Sequence, residues 1–81
     1  MEIIYSKQAV KAINAMASPM KLRIKSALEK LPDGDTKQIK SRSVTTWRLR
    51  VGGWRILYFF GEDGTLHIEK ISPRGDFYKG V

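Results

Sequence analysis

The sequence predicts an α+β fold, in which an N-terminal helical hairpin packs on a small antiparallel β-sheet in the order β-α-α-β-β-β. Two patterns indicate this fold. Apolar residues recur at helical spacing between residues 7 and 31, and they alternate with polar residues at a period of two from residue 47 onward. With 81 residues, of which 42% are hydrophobic, the chain has material for one core, so we expect residues 1–81 to form a single domain.

The opening strand and the first helix are predicted from short-range signals. Residues 2–5 are mostly apolar and partly β-branched, which is typical of a short strand, and Ser6 is placed to cap the helix that follows. That helix is predicted over residues 7–17. Its apolar side chains at helical spacing are Val10, Ile13, Met16 and Ala17.

The second helix is predicted to begin at Ser18-Pro19, where a capping residue precedes a proline suited to a first helical turn. Pro32-Asp33-Gly34 is predicted to end it. The charged residues of the opposite helix face, Arg23 among them, are interpreted as solvated surface. The apolar stripe consists of Met20, Ile24, Ala27, Leu28 and Leu31.

The second half of the chain predicts the sheet. Residues 35–43 are polar and are interpreted as a connector. Residues 47–51 alternate apolar side chains with arginines, Gly52-Gly53 is a two-residue turn signal, and residues 54–60 form the next strand of a hairpin. The remaining elements are a turn at residues 61–64 and a third strand at residues 66–71.

A two-residue turn at Gly52-Gly53 sets the register of the hairpin and separates its faces. It pairs Val51 with Trp54, Arg50 with Arg55, Leu49 with Ile56 and Trp47 with Tyr58. The tryptophans then fall on the apolar face, which favours core packing over stacking on bases. Arg48, Arg50 and Arg55 fall on the other face, where opposed like charges cost up to roughly 1 kcal/mol.

The basic character of the chain predicts an anionic partner. Fifteen Lys and Arg against eight Asp and Glu give a net charge of +7, and residues 36–61 contain no acidic residue. We therefore expect no local carboxylate to neutralise the arginines, and an external nucleic acid, membrane surface or acidic protein to do so. Arginine suits bidentate phosphate contacts. The alternative is that each arginine lays its stem over the sheet and keeps its head in water.

Several classes of protein and site are disfavoured. The chain has no cysteine and His67 is its one histidine, which excludes disulfides and makes a metal site unexpected. The N-terminus lacks the pattern of a signal peptide. The longest apolar run, residues 56–60, is far shorter than the ~20 residues that span a bilayer. We expect a cytoplasmic protein with no membrane partner, metal or cofactor.

The hairpin segment WRLRVGGWRILYFF, followed by a turn, an apolar strand and ISPRGDFYK, resembles the RelE/ParE superfamily of toxin–antitoxin toxins. The resemblance covers residues 44–79 and includes a closing Arg-x-x-x-Tyr. It implies a compact antiparallel sheet with two N-terminal helices, and a cognate antitoxin as partner. RelE-like members cut messenger RNA in the ribosomal A site, whereas ParE-like members inhibit DNA gyrase without being nucleases. A non-catalytic nucleic-acid-binding module is a third hypothesis.

The RelE-like resemblance, which we favour, implies a metal-independent endoribonuclease whose partners are the ribosome and mRNA. Its catalytic residues would be Arg55, Arg74 and Tyr78. Tyr78, with a pKa lowered by neighbouring cations, would remove the proton of the 2′-hydroxyl, and the two arginines would stabilise charge on the phosphate. Tyr78 as a simple packing residue is the alternative. The residues expected to hold the RNA backbone are Lys37, Lys40, Arg42, Arg48, Arg50 and Lys79.

The first motif strand departs from the family pattern. Ribosome-dependent members often have lysine there, where it takes part in proton transfer, and this chain has Arg48 and Arg50. Arginine replaces the charge but is a poor proton donor. Whether these two residues support catalysis or only binding stays open at this point.

Overall fold

The structure is a computed structural model that describes residues 2–39 and 45–73. Within them lie two helices and five strands, and the strands form one sheet in the order β1-β5-β4-β3-β2. This arrangement confirms the α+β class and the helical hairpin on a small sheet. The elements are β1 (Ile3–Tyr5), α1 (Lys7–Ala15), α2 (Ser18–Glu29), β2 (Thr36–Ile39), β3 (Thr46–Val51), β4 (Trp54–Phe60) and β5 (Leu66–Ser72).

Two features of the sheet differ from the sequence prediction. The connector interpretation of residues 35–43 was wrong for Thr36–Ile39, which forms the edge strand β2, antiparallel to β3. The sequence of β2 lacks the apolar alternation that marks a strand, and only its two end residues are partly buried. In addition, β1 pairs with β5 in parallel, so the sheet is mixed rather than wholly antiparallel.

The helices begin close to their predicted positions. The Ser6 cap is confirmed, because its hydroxyl oxygen accepts a hydrogen bond from the Ala9 amide at 3.1 Å. Helix α1 ends at Ala15, two residues earlier than predicted, because the chain at Met16 is already extended. The prediction that Ser18 caps α2 was wrong. The cap position is Ala17, which makes no side-chain bond, and Pro19 lies in the first turn.

The hydrophobic core lies between the helical hairpin and one face of the sheet. Helix α1 packs on β5 and α2 on β3. Trp47 and Trp54 are partly buried against this core, which agrees with their predicted packing role. The buried core residues are Ala9, Met16, Ile24 and Leu28 from the hairpin and Leu49, Val51, Ile56, Tyr58, Leu66, Ile68 and Ile71 from the sheet.

A β-bulge in β5 changes which side chains face the core. Leu57 pairs with Lys70 and Tyr58 with Ile68, so Glu69 is an extra residue on β5. Because of this residue, Ile68 and Ile71 are both buried in the core although they are three positions apart. The bulge also places Lys70 opposite Leu57, on the face of the sheet that points away from the helices.

A glutamine side chain continues the edge of the sheet beyond β1. The Gln8 amide nitrogen donates to the Ile71 carbonyl at 2.7 Å, and its oxygen accepts from the Ile71 amide at 2.8 Å. The side-chain amide thereby satisfies both the carbonyl and the amide of Ile71, which lies beyond the residues of β5 that β1 pairs with. It also ties the start of α1 to the last strand.

Candidate anion-binding surface

The predicted hairpin register, with Arg50 directly opposite Arg55, is confirmed. The Gly52-Gly53 turn makes this register possible, since Gly52 has a φ of 59°, a left-handed conformation that side chains disfavour. Because side chains alternate along a strand, Arg48 and Arg50, which flank the buried Leu49, point away from the helices. The local sequence therefore places these charges on one surface.

That surface, which we call the basic face, carries five cationic side chains in two cross-strand rows. In the first row, Lys37 pairs with Arg48, Arg48 with Leu57, and Leu57 with Lys70. The second row joins Arg50 to Arg55. Rows two residues apart along a strand are separated by about 7 Å. The cations of the basic face are Lys37, Arg48, Arg50, Arg55 and Lys70.

The carboxylate of Asp35 reaches the basic face, contrary to the sequence prediction that no local carboxylate would neutralise the arginines. Asp35 Oδ2 accepts a hydrogen bond from Arg50 Nε at 2.7 Å, and its Oδ1 lies 3.8 Å from Arg48 Nη1. Asp35 immediately precedes the acid-free segment. It reaches β3 because β2, which follows it, is an edge strand and not a connector.

The two arginines of β3 differ in exposure. The Arg48 side chain is 13% exposed and that of Arg50 52% exposed. Arg48 lies in the middle of the sheet, between Lys37 and the buried Leu57. The Arg48 side chain is therefore largely covered, whereas that of Arg50 is open to a ligand.

Helix α2 brings a further arginine to the hairpin turn. A Cβ atom placed on Gly52 would lie 3.5 Å from Arg23 Nη2 and 3.6 Å from Arg23 Nη1, so the guanidinium rests beside the turn. Arg23 and Arg50 line the same cleft of about 580 Å³ between α2 and β3. The sequence assigned Arg23 to solvated helix surface, and no local signal could have related it to a turn 29 positions away.

The aromatic and imidazole groups of this face pair with each other. The rings of Phe59 and His67 stack with centroids 4.7 Å apart and an interplanar angle of 3°. Across residues 2–39 and 45–73, no three His, Cys, Asp or Glu side chains are grouped so that they could hold a metal ion. His67 therefore stacks on Phe59 and is not part of such a group.

The tyrosines of the described strands are poorly suited to act as bases. Burial raises the pKa of the Tyr58 phenol, and a hydrogen bond with Thr36 offsets this only in part. Burial and then the charge of Glu29 raise the pKa of Tyr5. Both phenols therefore stay protonated at neutral pH, and neither provides the phenolate that the predicted chemistry requires.

The predicted site residues divide into two groups. The structure brings Lys37, Arg48, Arg50 and Arg55 together on the basic face. It adds Lys70 and the carboxylate of Asp35 to that face, and it places Arg23 beside the Gly52-Gly53 turn. The other predicted residues lie outside the described ranges, and their roles stay predictions. They are Lys40, Arg42, Arg74, Tyr78 and Lys79.

The helices of the described ranges are too short and too polar to cross a bilayer. The longer of them, α2, has 12 residues and carries charged side chains on its exposed face.

The fold is that of RelE proteins solved in complex with RelB. The chain superposes on a chain of the RelE–RelB complex from Pyrococcus horikoshii OT3 with a TM-score of 0.73 and 25% identity, over 91% of this chain and 94% of that one. The corresponding values for the RelB–RelE antitoxin–toxin complex from Methanococcus jannaschii are 0.74 and 24%, over 93% and 94%.

The similarity extends more distantly to the intact RelBE toxin–antitoxin complex of E. coli, with a TM-score of 0.58 and 15% identity over 88% of this chain and 93% of that one. No protein-family model and no curated protein matches the sequence. The solved structures confirm the predicted resemblance to the RelE-like members of the superfamily at the level of the fold.

Proposed function

We propose that this chain, which has the fold of the RelE toxins, is the toxin of a toxin–antitoxin pair and a ribosome-dependent endoribonuclease that cleaves mRNA in the A site. The toxin assignment is supported by the similarity to chains of RelE–RelB complexes over more than nine-tenths of the chain. The observation that carries the choice of RNA is the basic face, where two rows of cations cross the sheet.

The arrangement of the basic face suits a phosphodiester backbone. Arg50 and Arg55 are directly opposed on neighbouring strands, so both guanidiniums can approach one anion. Lys37 and Arg48 form the adjacent row, about 7 Å away. Such cations bind nucleic acid through its phosphates, irrespective of base sequence. Because such contacts do not read the base sequence, we propose that the ribosome sets the position of cleavage by presenting the codon in the A site.

The proposed reaction is attack of a ribose 2′-oxygen on the adjacent phosphorus. The base removes the 2′-hydroxyl proton, the new P–O bond forms a 2′,3′-cyclic phosphate, and the bond to the 5′-oxygen breaks, with a proton from the protonated base or from water going to that oxygen. We assign the base to Tyr78, and charge stabilisation to Arg55 and Arg74, on the resemblance. Arg48 and Arg50 hold the backbone, because arginine supplies charge but transfers protons poorly.

The proposed partner is a cognate antitoxin. The solved relatives are complexes of RelE with RelB, and this chain carries a net charge of +7, which favours association with an acidic segment. In this proposal, the antitoxin neutralises the toxin by preventing it from binding the ribosome.

The proposed activity is tested with ribosomes that hold a defined codon in the A site. Purified protein is added and the ends of the mRNA are mapped, with naked mRNA and Arg55→Ala protein as controls. We expect cleavage within the A-site codon only on the ribosome, and a rate reduced about 10²-fold or more by Arg55→Ala, which removes a donor to the transition-state charge.

Two results would redirect the assignment. Absence of cleavage together with inhibition of supercoiling by DNA gyrase would favour the ParE-like alternative. Absence of both, with retained binding to nucleic acid, would favour a non-catalytic binding module. Near-normal cleavage by Arg74→Ala and Tyr78→Phe proteins would reject the proposed catalytic residues while leaving the activity in place.

A further inference from the structure

We propose that Asp35 is an internal counter-ion of the basic face: its carboxylate occupies the position on Arg50 and Arg48 that a nucleic-acid phosphate takes, and the phosphate displaces it. The inference rests on the proposed function in one respect, which is that the incoming anion belongs to a nucleic acid. It assigns Asp35 a regulatory role, that of lowering the affinity of the free protein for polyanions.

The contacts of Asp35 resemble those of a bound phosphate. Its two oxygens reach two different arginines, with Oδ2 at 2.7 Å from Arg50 Nε and Oδ1 at 3.8 Å from Arg48 Nη1. The two arginines are separated by one residue on β3 and lie on the same face. An anion with two or more oxygens on adjacent guanidiniums is the arrangement that arginine clusters make with phosphate groups.

The backbone holds Asp35 in this position. Its carbonyl oxygen accepts a hydrogen bond from the Arg50 amide at 2.9 Å, which extends the β2–β3 pairing by one residue. The preceding Gly34 has a φ of 128°, a conformation that other residues rarely adopt. The carboxylate is therefore presented to the arginines by the main chain, and it stays within reach after an external anion has replaced it.

The ion pair is weak enough to be displaced. The side chains of Asp35 and Arg50 are 48% and 52% exposed, and ion pairs in such positions are strongly screened by water and salt. Arg55, opposite Arg50, forms no ion pair with any residue in the described ranges. A phosphate between Arg50 and Arg55 gains a second guanidinium that Asp35 does not engage.

The test compares Asp35→Asn with wild-type protein in binding a short single-stranded DNA, which lacks the 2′-hydroxyl and cannot be cleaved by the proposed reaction. Glu62→Gln is the matched control, because it makes the same change of net charge in the exposed turn between β4 and β5. Dissociation constants are measured between 50 mM and 1 M salt. Thermal unfolding of each variant verifies that it is folded.

We expect Asp35→Asn to bind more tightly at low salt and to show a steeper salt dependence. In the variant the phosphate need not break the exposed ion pair of Asp35, which is worth about 0.2–1 kcal/mol, so binding should tighten about 1.4- to fivefold at 50 mM salt and by less at 1 M salt, where the pair is screened. Equal effects of Asp35→Asn and Glu62→Gln would overturn the proposal, since net charge alone would then account for them. Weaker binding by Asp35→Asn would also overturn it.

A measurement on the wild-type protein keeps the proposal testable if the variant does not fold. The Nε–H resonance of Arg50 is followed by NMR while inorganic phosphate, and then the same DNA, is added. We expect it to shift with both anions as the bond to Asp35 is exchanged, and an unchanged resonance on saturation with DNA would overturn the proposal. Neither measurement involves ribosomes, so failure of mRNA cleavage is distinguished from failure of this inference.

Discussion

At the residue scale, the alternation of apolar and charged side chains predicts which face of the sheet carries the arginines. It does not predict which residues the arginines contact. Arg48 and Arg50 lie between apolar residues at a period of two, so their face could be predicted without knowing what the sheet packs against. The pairing of Asp35 with both arginines required knowledge of β2, whose polar sequence resembles a loop. The position of Arg23 beside Gly52 required the packing of α2 on the hairpin.

We predict that Arg23 contributes to nucleic-acid binding. Arg23→Ala should weaken binding of single-stranded RNA and reduce the slope of log K against log salt by about 0.7, the effect of losing one phosphate contact. Fluorescence anisotropy at several salt concentrations measures both quantities. Lys25→Ala is the control, because it removes the same charge from an exposed position of α2 that does not line the cleft with Arg50. Equal slopes for the two variants would contradict the prediction.

At the scale of the elements, the cap of α1 and the turn of the hairpin were predictable from local residues, whereas the cap of α2 was not. Ser6 and Gly52-Gly53 act through bonds or backbone angles within a few residues, and both predictions were confirmed. The strand pairings that join distant parts of the chain were not predictable in the same way. The bulge at Glu69 and the double hydrogen bond of Gln8 with Ile71 both depend on neighbours outside their own segment.

The β3–β4 turn offers a test of its two glycines. Gly52→Ala should lower the free energy of unfolding by about 1–2 kcal/mol, because a Cβ atom is strained at a φ of 59°. Gly53→Ala should change it much less, since Gly53 has no positive φ and its Cβ would approach other atoms no closer than 4.0 Å. Urea denaturation measures both values. Similar losses for the two variants would mean that the turn conformation is not the cause.

Gln8 is exposed, but its side chain makes two hydrogen bonds with Ile71, so replacing it should lower the free energy of unfolding more than a typical surface substitution does. Gln8→Leu keeps a similar side-chain size but leaves the amide and carbonyl of the buried Ile71 without these bonds, and it should cost about 1–3 kcal/mol. Gln38→Leu on the exposed part of β2 is the control and should change stability by under about 0.5 kcal/mol. Hydrogen exchange of the Ile71 amide should increase in the first variant only. Unchanged protection there would contradict the assignment.

At the scale of the whole molecule, the hydrophobic core stabilises a sheet whose other face, the basic face, lies outside that core. The helices cover one face of the sheet, and the opposite face is left to carry Arg50 and Arg55 in direct opposition. Opposed like charges destabilise by up to roughly 1 kcal/mol, which is small beside the burial of the Leu and Ile side chains below them at about 1.5–3 kcal/mol each. The fold can therefore hold a concentrated positive charge without losing its packing.

The core itself should be sensitive to single truncations. Ile24→Ala removes a side chain that is 1% exposed and should cost about 2–5 kcal/mol, a large part of the roughly 4–12 kcal/mol expected for a chain of this length. Leu22→Ala, at a position 66% exposed on the same helix, should cost less than about 0.5 kcal/mol. Thermal and urea unfolding check both values. Comparable losses would show that α2 is buried on a different face.

The sequence by itself determined the fold class, the hairpin register and the surface on which the arginines lie. These depend on side-chain alternation, on a turn that favours positive φ and on one capping hydroxyl, all of which act over a few residues. Only the tertiary structure decided the parallel pairing of β1 with β5, the presence of β2, the bulge at Glu69 and the contact of Asp35 with Arg50. The physical reason is that these features join residues far apart in the chain, where the energy of pairing depends on partners that no local pattern specifies.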